Sequence, residues 1–185
     1  MRPVERKEII DYATYEERRE AERKRVMELK TSRRIHVSEH LTFLFENRET
    51  VRYQVQEMMR TERIVKEADI QHELETYNEL LGGKGELGCT LLIEIESPEE
   101  RNEKLRAWLD LPKHLFAKLP DGRVVRPTFD PRQVGEDRLS SVQYLKFDTG
   151  GQVPVLLGAD HPRLQVVREL SRDEQEALRQ DLADD

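Results

Sequence analysis

One cysteine in 185 residues, Cys89, excludes a disulfide framework and a zinc site built from thiolates. No apolar run approaches the roughly 20 residues of a membrane span, and the charged N-terminus lacks the apolar core of a signal peptide. The expectation is a cytoplasmic protein. None of the histidines, His36, His40, His72, His114 and His161, has the HExxH spacing of a zinc protease, and no Glu-x-x-His pair of a di-iron bundle occurs. No serine sits in a Gly-x-Ser-x-Gly elbow. Gly82-Gly83-Lys84-Gly85 is followed by a strand rather than by Lys-Ser or Lys-Thr opening a helix, so it reads as a flexible turn and not a phosphate loop. There is no internal repeat and no linker.

What is present is charge and periodicity. Charged residues make up 37% and hydrophobic residues 36%, polar for a globular chain, yet the apolar periodicity persists and argues against disorder. The length suits one compact domain, 1–185, with 1–33 as a peripheral lead-in and helix. The net charge of −7 is uneven: residues 1–66 hold 16 Lys and Arg against 13 Asp and Glu, and the remainder holds 15 against 25. A basic front and acidic back read most simply as halves that pair with each other.

The chain is organised around His40–Lys66. Leu41, Phe43 and Phe45 alternate with Thr42, Leu44 and Glu46, a strand with one buried face. A helix over Arg48 to Val65 follows, with Val51, Val55, Met58, Met59 and Val65 on its core stripe. Tyr53, Glu57, Arg60 and Ile64 line up on the other side, beside Glu49 and Gln56. A solvated face rarely needs a tyrosine and an isoleucine in that line, so it is expected to be covered by the chain or by a partner.

Elsewhere, a charged outer helix is expected from Thr14 to Lys30, opened by a capping box at Thr14–Glu17. Its basic side, Arg19, Arg23, Lys30 and Arg34, is interleaved with Glu16, Glu17, Glu20, Glu22 and Glu28, which disfavours nucleic acid. Further expectations are a strand at 34–37, a helix at 68–81, a central strand over Leu87–Glu96, and a helix opened by Ser97-Pro98-Glu99-Glu100. A hairpin over 115–129 turns at Pro120-Asp121-Gly122, strands follow at 141–148 and 164–168, and Ser171–Glu174 opens the last helix. The fold class is α+β, a single domain with a mainly antiparallel sheet packed with several helices.

Candidate chemistry is sparse. Asp69 with His72, or His36 with His40, have spacings that could ligate a metal, but so many acids produce such spacings by chance. Asp160-His161-Pro162 is a better local candidate: a carboxylate beside an imidazole at a turn, either fixing a tautomer or capping the turn. Cys89 lies on an apolar strand face and reads as an inert core thiol. No motif implies a cofactor.

HLTFLFENRETVRYQVQEMMRTERI, ELETYN (73–78), TLLIEI (90–95) and GADHP (158–162) together resemble an uncharacterised bacterial family of unknown function, over nearly the whole chain. The genes of that family often lie near those of rubrerythrins and iron–sulfur oxidoreductases, which implies a role near peroxide defence or electron transfer. This chain lacks the cysteines to hold an iron–sulfur cluster alone. The leading expectation is therefore a non-enzymatic accessory protein that binds a redox or iron protein through Tyr53, Gln56, Glu57, Arg60, Asp160 and His161. The alternative is a metal-binding or metal-dependent enzyme using Asp160 and His161, with His40 or Glu57 brought close by the fold.

Overall fold

The structure is a computed structural model and describes residues 1–184. Five helices, α1 (Tyr12–Thr31), α2 (Arg48–Glu62), α3 (Glu67–Asn78), α4 (Pro98–Ala107) and α5 (Arg172–Ala183), surround two four-stranded sheets. The first sheet has the order β1-β2-β3-β6 (Arg34–His36, Leu41–Phe45, Glu86–Ile93, Val142–Asp148). The second has the order β5-β4-β7-β8 (Val124–Val125, Leu115–Lys118, Leu156–His161, Leu164–Glu169). Every neighbouring pair is antiparallel. The fold is α+β, and no described helix is long and apolar enough to cross a membrane.

Register follows the alternation legible in the strands. Phe45, Cys89 and Leu145 share one row and Phe43, Leu91 and Gln143 the next, so their inward side chains meet on one face. That face joins Leu115, Ala117, Leu157 and Ala159 of the second sheet, with Leu105, Trp108 and Leu178 from the helices, in one core. Phe43, Phe45 and Phe147 are fully buried there; each contributes about 1.5–3 kcal/mol by leaving water. The other face of the first sheet meets the helices: Thr90 donates to the Glu46 carboxylate (2.7 Å), which also accepts from Thr50 of α2 (2.5 Å).

Helices α2 and α3 form a second, smaller core of Val51, Val55, Met59, Ile70, Leu74 and Leu81, joined by Val4 and Ile9 from the lead-in. Two amides hold the lead-in there. Asn78 accepts from Val4 N (2.8 Å) and donates to its carbonyl (3.0 Å); Gln56 does the same for Ile10 (2.7 and 3.2 Å).

Several boundaries move for local reasons. Asp11 caps α1 by accepting from Thr14 N, so the helix starts at Tyr12. Arg63 takes a left-handed backbone (φ 54°) and ends α2, which leaves Val65 73% exposed rather than on the core stripe. The segment after Gly150-Gly151 forms β7 and runs through Asp160 and His161, so the turn falls at Pro162-Arg163.

Candidate functional site

Strand alternation decides where Asp160 and His161 go. His161 lies on the inner face of β7 and is 4% exposed, whereas Asp160 lies on the outer face. The two neighbours in sequence therefore do not pair. His161 Nε2 donates to Asp110 Oδ1 (3.0 Å), while its Nδ1 accepts from the Arg163 N–H (3.1 Å). These bonds select the Nε2–H tautomer, so Asp110 plays the orienting part expected of Asp160.

Asp160 is held by Arg126 in a two-pronged ion pair, Nη1–Oδ1 3.0 Å and Nη2–Oδ2 2.5 Å. His114 bridges the two carboxylates, Nδ1 3.3 Å from Asp160 Oδ1 and Nε2 3.3 Å from Asp110 Oδ2. Its ring meets that of His161 edge-on at 5.1 Å. Arg126, Asp160, His114, Asp110 and His161 thus form one chain of hydrogen-bonded side chains between β7, the turn Leu111–His114 and the segment after β5. Hydrogen bonds and charge from Arg126 lower the Asp160 pKa. Burial pushes Asp110 upward, but the His161 hydrogen bond and others outweigh it and the net shift is down.

The polar face of α2 is covered by the chain itself. Tyr15 of α1 donates to Glu57 (2.6 Å) and Arg19 grips both oxygens of that carboxylate (2.8 and 2.9 Å). Arg60 pairs with Glu16 at 2.7 Å. Tyr53 is 8% exposed with Lys30 Nζ 5.6 Å from its ring centre, and Gln56, 2% exposed, grips Ile10. Burial first, then the Glu57 carboxylate, drives the Tyr15 phenol pKa up. Burial acts upward on Glu57 too, but Arg19 and Tyr15 bring it below the usual carboxylate range. Tyr53, Glu57 and Arg60 fasten α1, whose only buried residues are Tyr15 and Val26, and Gln56 fastens the lead-in before it.

The residues proposed from sequence for metal chemistry do not converge. His40 lies against Lys104 (Nζ–Nε2 2.6 Å) and near Trp108, Glu57 lies in the α1–α2 seam, and Asp69 and His72 are exposed on α3. No group of three or more His, Cys, Asp or Glu among the described residues is arranged to hold a metal ion.

The outer face of the second sheet carries exposed apolar side chains. Phe116 lies over Gly158, where an added Cβ would stand 2.7 Å from the ring and 2.6 Å from Val166 O, so the glycine of GADHP is required by packing. Arg126 stacks on the same ring at 5.4 Å. Beside them, Val167 is 60% and Val124 52% exposed, unusual for valines in a sheet.

A family model described as a protein of unknown function, DUF3501, matches residues 3–182. The chain belongs to that family. It is also similar to a solved structure, described as a novel protein of unknown function from Burkholderia pseudomallei. The two share 27% identity with a TM-score of 0.89, over 98% of this chain and 100% of the other. No curated protein matches.

In this DUF3501 chain, sequence reasoning found Asp160 and His161 but not Asp110, His114 or Arg126, which complete the cluster. The available signal was Asp110 and His114 four residues apart; Arg126 could be joined to Asp160 only through the sheet. Both aspartates have lowered pKa values, so the cluster stabilises the fold above the ordinary aspartate value, about 3.9, and the effect is lost as pH falls through the lowered values. Arg126→Gln is therefore expected to lower the urea midpoint relative to wild type at pH 5, with the difference closing as acid protonates Asp160. A difference that persists unchanged below pH 3 would assign the effect to packing on Phe116 instead.

Proposed function

We propose that this protein is a non-catalytic accessory protein acting in the cytoplasm, and that it docks a protein partner on its second sheet. The observation that supports this reading is the free outer edge of β8. At the corresponding edge of the first sheet, Gln133 exchanges hydrogen bonds with Tyr144 N and O (2.7 and 3.1 Å), and Thr128 pairs with Lys146. β8 ends its sheet, and among the described residues no strand pairs with its outer edge. Uncovered edges of this length invite strand addition, and Val167 lies on this strand as an apolar anchor, with Asp160 on β7 and Phe116 on β4 further in on the same face. An extended segment of the partner, pairing with β8, is the occupant we propose.

For the partner class we propose a redox or iron protein, which the family resemblance implies; the chain's own residues supply neither four cysteines nor a Glu-x-x-His pair, so it would assist such a protein. A photo-crosslinking residue at Gln165 in the native cell should capture that partner, and Val167→Lys should weaken binding of the purified partner about tenfold or more. Equal capture from Arg179, exposed on α5, or unchanged affinity in Val167→Lys would overturn the reading.

A further inference from the structure

The basic stripe of α1 is neutralised at one end and not at the other. Arg19 is engaged by Glu57, but Lys30 and Arg34, at the far end, lie within 4 Å of no carboxylate among the described residues. They line a cleft of about 430 Å³ together with Met27, Thr31 and His36, where the end of α1 passes the edge strand β1. Lys30 is placed by its contact with the Tyr53 ring, and burial together with the Arg34 charge lowers its pKa. The opposing charge that acts on it is Glu46, whose two oxygens already accept from Thr50 and Thr90.

The imidazole that borders the cleft, His36, is fixed by Thr42. Thr42 has one hydroxyl proton, which goes to Glu94 Oε2 (2.5 Å), so the His36 Nδ1 2.7 Å away is the donor to Thr42; Nε2 is then an acceptor, and Glu94 lies 3.9 Å from the ring, so His36 borders the cleft as a wall and not as a donor. An ammonium and a guanidinium fork thus border one cleft, and neither has a carboxylate within 4 Å among the described residues. From this we infer that the cleft binds a phosphate-bearing small molecule. A tetrahedral oxyanion presents several oxygens to donors arriving from different directions, and arginine and lysine are the usual pair for it. The volume exceeds that of phosphate alone, and Met27, 42% exposed, offers an apolar wall for an organic remainder. This site is separate from the β8 edge and stands or falls independently of it.

The test is calorimetric titration of the full-length protein with inorganic phosphate and with pyrophosphate at low ionic strength. Saturable binding with one site is expected, weakened about tenfold or more by Arg34→Gln and by Lys30→Met. Lys30→Met keeps the aliphatic contact with Tyr53, so its melting temperature should stay close to wild type. Arg23→Gln, an exposed change on the same helix outside the cleft, should leave the affinity unchanged. Absence of saturable binding at millimolar pyrophosphate, or an equal loss in Arg23→Gln, would overturn the assignment, the second by showing binding to diffuse helix charge.

Discussion

Arg33→Ala is expected to lower the stability of the protein by about 3–5 kcal/mol, because it leaves a buried carboxylate without its counter-charge. Arg33, Asn47 and Asp181 are 5%, 7% and 5% exposed. The guanidinium holds both oxygens of Asp181 at 2.8 Å and donates to the carbonyls of Leu29 (3.1 Å) and Ala177 (3.3 Å), which engages four of its five N–H groups. Asn47, the cap of α2, donates to Asp181 at 3.0 Å. One network therefore joins the end of α1, the start of α2 and the C-terminal helix. Desolvating two ions is expensive, so the pair itself adds little beyond what apolar neighbours would. The double variant Arg33→Met with Asp181→Leu should accordingly recover most of the loss in urea denaturation. If the double variant is as unstable as the single one, the hydrogen bonds of the ion pair are the stabilising element and the desolvation argument fails.

That network also shows where sequence reading stops. The strand-to-helix passage through Phe45 and Asn47, the capping box at Ser171 and the Ser97-Pro98 helix start are legible because each signal is local, within a few residues. The alternation in β3 is legible because one whole face is buried. Strand β7 is hidden because Gly158 and Asp160, turn-like residues, occupy its outer positions, while Leu157, Ala159 and His161 point inward. Glycine fits there because Phe116, 42 positions earlier, covers it. Likewise the line Tyr53, Glu57, Arg60 correctly signals a covered face, but not that the cover is α1, whose apolar stripe is too thin to announce it. Its attachment rests on charges drawn from two helices, and no periodicity reports such pairing. The candidate cluster fails to show for the same reason: Asp110, His114, Arg126, Asp160 and His161 meet only once two strands and a turn are in place.

Gly88→Ala is expected to be as damaging as the loss of Arg33, by a different route. On sequence Gly88 is an unremarkable member of the outward face of β3. In the fold, a Cβ there would lie 1.9 Å from the Leu80 carbonyl oxygen and 3.0 Å from Gly82 N. Both are backbone atoms of the segment leading out of α3, so no rotamer change relieves the overlap. Glu46 N also donates to the Gly88 carbonyl (2.9 Å), where β2 leads into α2. Moving this backbone therefore disturbs the entry to α2 as well as the exit from α3. The cost should exceed about 3 kcal/mol, in the range reserved for overpacked interiors. Gly150→Ala is the informative control. Gly150 has φ of 60° and nothing within 4 Å of an added Cβ, so only backbone strain opposes the change, about 1 kcal/mol. Urea midpoints should separate the two variants widely. Equal destabilisation would mean that α3 and β3 yield to the methyl group, and that the close approach of Leu80 to β3 is not a constraint the fold depends on.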